Sequence, residues 1–207
     1  MTFIKICGIT NLDDARAAVD AGADALGFNF YQPSPRYVST ATAREIISKI
    51  PTTILTVGVF VNEPAQAVEG LARDAGVSAI QLHGDESPDY CRAIPNRYVI
   101  KALAAGADFD VQDALDYDVD AILLDTKDDN LRGGTGRIFE WSIALEVRRR
   151  VPKLYLAGGL GIHNIEDAIM SVDPFAVDAC SALEERPGKK NHERMSAFVK
   201  AIRSVNP

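Results

Sequence analysis

The chain has 207 residues, 47% of them hydrophobic and 25% charged, a globular composition with enough length to bury most of the surface its unfolded form exposes. Lys and Arg total 22 against 29 Asp and Glu, a net charge of −7, so the basic footprint of a nucleic-acid binder is absent. No apolar stretch approaches the roughly 20 residues that span a bilayer, and the N-terminus lacks the basic-then-apolar pattern of a signal peptide, which predicts a soluble, cytoplasmic protein without a membrane partner.

In chain order, short runs rich in apolar and β-branched residues alternate with longer segments of helical spacing. The first strand-like run is "FIKICGI" (3–9), after which Asn11 leads "NLDDARAAVDAG" toward a left-handed cap at Gly22. "ALGFNF" (25–30) follows, then a Pro-rich loop "YQPSPRYV" and a helix led by Thr42. The third and fourth runs are "TILTVGVFV" (53–61) and "AIQLHG" (79–84), separated by a helix that stops at Gly76. "YVIKALA" (98–104) and "AILLDT" (121–126) come next, flanked by the weaker helical patterns "PDYCRAI" and "DFDVQDALDY". "LYLAGGL" (154–160), a helix led by Asn164, and "FAVDACSAL" (175–183) complete eight units. The cations of "RRR" at 148–150 suit a helix C-terminus.

Eight βα units with near-continuous apolar strands and no linker predict one compact α/β domain over residues 1–207. The economical architecture is a (β/α)8 TIM barrel, although a doubly wound sheet produces the same alternation. In a barrel, polar groups collect at the C-terminal ends of the strands. Cys7, Asn29, Gly58, His83, Lys101, Asp125, Gly158 with Gly159, and Ser181 all lie at or near such ends.

Three cysteines, Cys7, Cys91 and Cys180, lack CxxC or Cys/His ligand spacing, so neither a disulfide framework nor a metal site is expected. Gly-rich pieces after the sixth, seventh and eighth strands suit a phosphate, though turns use glycine for other reasons. Asp125 ends an apolar strand: it either caps the next turn or, with its pKa raised by partial burial, trades a proton near neutral pH. Cys7 is either a small buried hydrophobe or a base, with Lys5 nearby to favour the thiolate. Arg36 can clamp a carboxylate or phosphate, or simply stack on Tyr31 or Tyr37. His83 contacts a ligand or is a satisfied strand-end histidine. An acid and a base from two strands on one rim point to proton transfer on a sugar phosphate, such as isomerisation.

The blocks "KICGIT" (5–10), "GADALGFNFYQPSPRYV" (22–38), "VGVFVNE" (57–63), "QLHGDE" (81–86), "LLDT" (123–126), "GGTG" (133–136), "GGL" (158–160) and "FAVD" with "RPGKK" (175–190) resemble the phosphoribosylanthranilate isomerases of tryptophan biosynthesis. The resemblance implies a barrel of the ribulose-phosphate-binding type and an Amadori rearrangement of a small sugar-phosphate substrate, without a cofactor. It implies Cys7 as general base, Asp125 as general acid and Arg36 facing the anthranilate carboxylate, with His83 and Asp178 also on the substrate. Phosphate is implied at Gly134, Gly136, Gly158, Gly159, Cys180 and Ser181. Whether the chain is a monomer or a homodimer is not readable.

Similar sequences usually read "VDVSSGVE" where this one has "VDACSALE" (177–184), so Cys180 takes a Ser position and Ala182 a Gly position. Gly161 stands where Asn is usual. If residue 182 needs a positive φ, Ala costs about 1 kcal/mol or more of strain there. Two rival readings follow. One is the analogous isomerase of histidine biosynthesis, whose family uses two Asp where Cys7 and Asp125 stand. The other, favoured only by the altered strand-eight loop, is a phosphate-binding barrel without activity.

Overall fold

The computed structural model describes residues 1–94, 96–106, 108–125 and 136–205. The Gly-rich loop after the sixth strand, with Gly134, lies outside them. Eight parallel strands close in sequence order into a barrel: β1 (Phe3–Ile6), β2 (Ala25–Asn29), β3 (Leu55–Phe60), β4 (Ala79–Leu82), β5 (Tyr98–Ala104), β6 (Ala121–Asp125), β7 (Leu154–Ala157) and β8 (Ala176–Ala179). The seam is the β1·β8 pairing, in register from Phe3 opposite Ala176 to Ile6 opposite Ala179. The TIM barrel, not the doubly wound sheet, is the fold.

Alternation along each strand divides the apolar residues into two cores. Outward-facing Ile4, Ile6, Leu26, Phe28, Phe60, Ile80, Ile122 and Leu124 pack against the surrounding helices. Inward-facing positions are mostly small, among them Ala25, Ala79, Ala102, Ala121, Ala157 and Ala176, because eight converging strands leave little space. The N-terminal end is plugged by Phe3, Tyr155 and Phe175, with ring centroids 5.8–6.3 Å apart. Polar side chains therefore meet at the opposite end.

The same parity corrects two expected rim residues. Gly58 faces outward, where an added Cβ would lie 2.9 Å from both Phe30 and Phe60. Lys101 also faces outward, its Nζ donating to the Gly84 carbonyl and to Glu86 Oε2, each at 2.7 Å, so it braces the loop after β4. Three strands, β1, β7 and β8, end three or four residues sooner than expected. Gly8 at φ +76°, Gly158 at +89° and Gly159 at +63° turn the chain out of β1 and β7, and after β8 residues Ser181–Leu183 form a 3-10 turn.

The helices α1 (Leu12–Ala21), α2 (Thr40–Ile47), α3 (Ala65–Ala75), α4 (Pro88–Arg92), α5 (Val111–Leu115), α6 (Gly136–Arg148), α7 (Ile165–Val172) and α8 (His192–Val205) lie outside the barrel. Asn11 caps α1 by accepting from the Asp14 N–H, and Gly22 and Gly76 close α1 and α3 in the left-handed conformation. The cap of α2 is Ser39 rather than Thr42, whose N–H it accepts. Asn164 precedes α7, but its side chain accepts from Gly161 N–H and donates to the Gly159 carbonyl, so it shapes the β7 loop. Among the described residues no helix is long and apolar enough to cross a membrane.

A two-stranded hairpin, β9 (Glu184–Arg186) and β10 (Lys189–Lys190), follows the 3-10 turn. Asp14 of α1, fully buried, anchors it by accepting from Lys189 Nζ, the Lys190 N–H and His192 Nε2, each at 2.8 Å. Burial pushes the Asp14 carboxyl up, but these donors, with Asn11, outweigh it and hold it below the usual carboxylate range. Its anchoring is therefore full above the unfolded carboxylate pKa of about 4 and is lost as pH falls through the depressed folded value. Asp14→Asn is expected to lower the unfolding free energy in urea at pH 7 by about 1–3 kcal/mol, a difference that shrinks below about pH 4.

Candidate active site

The C-terminal mouth of the barrel holds a pocket of about 260 Å³, lined by Cys7, Arg36, His83, Asp125, Asp178 and Cys180 among others. Its floor is an ion pair across the seam. Lys5 and Asp178 stand opposite each other in the β1·β8 register, with Lys5 Nζ 2.8 Å from Asp178 Oδ2 and Lys5 fully buried. Burial alone would depress the Lys5 ammonium, but Asp178 and Cys7 beside it overcome this and raise it above the ordinary lysine range. Burial also pushes Asp178 up to about 6, with Lys5 opposing and Cys7 adding to the rise. Its second oxygen, Oδ1, is buried without a partner among the described residues.

Cys7 sits directly above this pair, its N–H bonded to the Ala179 carbonyl at 2.9 Å. Gly27 of β2 makes that placement possible, since a Cβ there would lie 2.7 Å from Cys7 Sγ and 3.2 Å from Lys5 Nζ. A hydrogen bond from the Cys180 thiol, and then the positive charges of Lys5 and Lys190, outweigh burial and hold Cys7 well below the ordinary thiol pKa. The deprotonated form of Cys7 is thereby favoured relative to an ordinary thiol.

Asp125 ends β6, three strands from β1 around the closed ring. His83 Nε2 lies 3.3 Å from Asp125 Oδ2, and Gln81 Nε2 lies 2.9 Å from His83 Nδ1. With Gln81 donating to Nδ1, the ring proton rests on Nε2 and faces Asp125. Gln81 is almost fully buried and its Oε1 has no partner among the described residues. His83 is thus both satisfied and part of the pocket wall.

Arg36 reaches the pocket from the β2 loop, which Asn29 and Ser34 organise through a 3.1 Å hydrogen bond. Its guanidinium is already forked onto Glu184, with Nε 2.9 and 3.1 Å from the two oxygens and Nη2 2.6 Å from Oε2. Buried Lys190 approaches the same carboxylate at 3.2 Å and donates to the Cys180 carbonyl at 3.1 Å. The motif reading passed over Glu184 and Lys190, which the structure brings to this wall of the pocket. Lys190 ends the "RPGKK" block and Glu184 ends the departing "VDACSALE" stretch, yet only the hairpin's fold brings them toward Arg36.

Gly158 and Gly159 form one wall and Cys180 and Ser181 the next, while Gly136 opens α6. Ala182 is relaxed: it is not among the positive-φ residues, so the expected strain does not arise. The two departures on this wall instead fit each other. A Cβ at Gly161 would lie 3.2 Å from the Ala182 Cβ and equally close to the His163 ring, closer than ordinary van der Waals contact, so the methyl and the ring together occupy space that a side chain at 161 would need. Gly161→Asn is accordingly expected to raise KM about tenfold, and Gly161→Asn combined with Ala182→Gly to return it to within about threefold of wild type; steady-state kinetics on the double-mutant cycle measures this coupling.

Comparison with known proteins agrees with this geometry. Residues 4–201 match the family described as N-(5'-phosphoribosyl)anthranilate (PRA) isomerase. The N-(5'-phosphoribosyl)anthranilate isomerase of Thermotoga neapolitana is 47% identical over 99% of this chain and 100% of its own length, and that of Thermotoga maritima 46% identical over the same shares. The crystal structure of the T. maritima enzyme superposes with a TM-score of 0.91 at 44% identity, covering 99% of this chain and all of that one. A phosphoribosyl anthranilate isomerase solved with reduced 1-(o-carboxyphenylamino)-1-deoxyribulose 5-phosphate superposes at 0.89 with 42% identity and the same coverage. The chain, with its acid, its thiol and its glycine-walled pocket on one barrel mouth, belongs to the phosphoribosylanthranilate isomerase family.

Proposed function

We propose that this isomerase rearranges N-(5-phosphoribosyl)anthranilate to 1-(2-carboxyphenylamino)-1-deoxyribulose 5-phosphate, with Asp125 as general acid and Cys7 as general base. The observation that carries the proposal is the pairing of a depressed thiol on β1 with a carboxyl on β6 in one pocket of a family member. Asp125 gives a proton to the furanose ring oxygen, and the C1′–O bond opens to an iminium on the anthranilate nitrogen. The Cys7 thiolate then takes the C2′ proton, and the electron pair moves into the iminium to give an enolamine that ketonises by gaining a proton at C1′. His83 steadies Asp125 as its charge develops.

Substrate recognition follows from the same walls. Arg36 faces the anthranilate carboxylate, and Glu184 fixes its fork while Lys190 offsets the Glu184 charge. The unpartnered Asp178 Oδ1 and Gln81 Oε1 suit the substrate's amine and hydroxyl donors. Phosphate lies against Gly158, Gly159, Cys180 and Ser181, near the start of α6 at Gly136. A thiol rather than a carboxyl at position 7 favours this substrate over the histidine-pathway one. The altered β8 loop, the one feature that favoured an inactive barrel, is accommodated by Gly161. A cytoplasmic monomer or homodimer fits this role; one related solved structure, 42% identical, is of monomers generated from the dimeric T. maritima enzyme.

Loss of the substrate's intrinsic fluorescence reads turnover directly. Cys7→Ala and Asp125→Asn are each expected to lower kcat about 100-fold or more with KM changed less than about threefold; near-wild-type turnover would remove that residue from its role. For pH, Asp178 at about 6 must be ionised to accept from the substrate amine, so activity is full above that value and declines below it. The kcat/KM profile should fall about tenfold per pH unit below about 6. Asp178→Asn should lower kcat/KM at pH 8 and displace that limb, whereas a wild-type profile flat from about pH 8 to 5 contradicts the requirement.

A further inference from the structure

Cys180 stands one residue beyond the last registered pair of the seam, and so does Cys7. The bond from Cys7 N–H to the Ala179 carbonyl continues the ladder there, so the two cysteines are cross-strand neighbours. Adjacent strands lie about 4.8 Å apart, inside the Cα separation of about 4.4–6.8 Å that a disulfide spans. Both thiols line the pocket, both are partly exposed there, and both are free. Ammonium groups flank the pair, with Lys190 Nζ 3.7 Å from Cys180 Sγ and Lys5 beneath Cys7. The third cysteine is different. Cys91 is buried in the outer core, and burial pushes its thiol up to about 11.

We propose that Cys7 and Cys180 form a peroxide-responsive thiol pair, in which a hydroperoxide converts the site to a Cys7–Cys180 disulfide that a dithiol reverses. The Cys7 thiolate attacks the terminal oxygen of the hydroperoxide; the O–O bond breaks, the sulfur becomes a sulfenic acid, and the departing alkoxide or hydroxide takes up a proton. Cys180 then attacks the Cys7 sulfur. The S–S bond forms, the S–O bond breaks, and the released hydroxide leaves as water with the Cys180 proton. Two thiols are oxidised by two electrons and the hydroperoxide is reduced. The two thiols are biased differently: neighbouring Cys180 and the charges of Lys5 and Lys190 push the Cys7 thiol down, whereas neighbouring Cys7 and burial push the Cys180 thiol up. Ser at position 180 would leave no second thiol to resolve the sulfenic acid.

The crosslink itself is independent of the assigned mechanism; only the accompanying loss of turnover rests on Cys7 as base. Purified wild type and Cys180→Ser are treated exhaustively with hydrogen peroxide, then with dithiothreitol, and followed by intact mass, peptide mapping and fluorescence turnover relative to each protein's own untreated rate. Wild type is expected to become lighter by two hydrogen atoms, to yield a Cys7–Cys180 peptide, to lose activity about tenfold or more and to regain most of it. Cys180→Ser is expected to gain oxygen on Cys7 and to regain less than about a tenth, since sulfinic acid is not reduced by a dithiol. Oxygen on wild-type Cys7 without the crosslinked peptide, or a crosslink through Cys91, would overturn the proposal. A reversible crosslink with turnover unchanged would support the thiol pair and overturn Cys7 as base.

Discussion

The buried ion pair between Lys5 and Asp178 sits where the barrel closes, and the site is built around it. Two charges enclosed by protein are costly unless each finds a partner, and here each is the other's partner across the β1·β8 register. The pair makes the seam polar on its inner face while Ile4, Ile6, Val177 and Ala179 keep the outer face apolar. It also sets a fixed positive charge beneath Cys7. The cost of burying the pair returns as an electrostatic bias: the Lys5 charge pulls the Cys7 thiol down without any cation from solvent.

Each wall then adds one constraint. Gly27 leaves the space that the Cys7 sulfur fills. Gln81 and His83 form a short chain that ends on Asp125. Glu184 fixes Arg36 from behind, and Lys190 ties that carboxylate to the strand-eight loop. The two ion-paired groups, Lys5 with Asp178 and Arg36 with Glu184 and Lys190, meet at the two cysteines. Electrostatic control of the thiolate and orientation of the guanidinium are therefore properties of one connected cluster.

Much of this was legible in the order of residues, and the misses have physical causes. Cys7, His83 and Asp125 follow from the position of strand ends, which a regular pleat fixes, whereas Asp178 follows only from the family resemblance. Gly58 and Lys101 failed by parity alone, since one residue's shift turns a side chain from the mouth to the helix layer. The overlong strands one, seven and eight missed turns that begin at left-handed glycines or a 3-10 turn while the sequence stays apolar. Glu184 is hidden from local reading because its partner Arg36 is about 150 residues away in the chain, and Lys190 because it reaches that site only through Glu184 and the Cys180 carbonyl. Ala182 and Gly161, read singly, each looked like a defect; only their contact shows that they compensate.

The β1·β8 seam and the hairpin behind it carry a consequence for the order in which the molecule is made. Strand β1 leaves the ribosome first, but its hydrogen-bonding edge and its Lys5 charge wait for Asp178, and Arg36 waits for Glu184 and Lys190. Through most of synthesis the first strand carries an uncompensated ammonium. That charge disfavours burial of the open edge against the wrong strand, which protects a nascent parallel sheet from premature pairing. The residue that later sits beneath Cys7 thus serves, before the last strand exists, as the guard of an unfinished barrel.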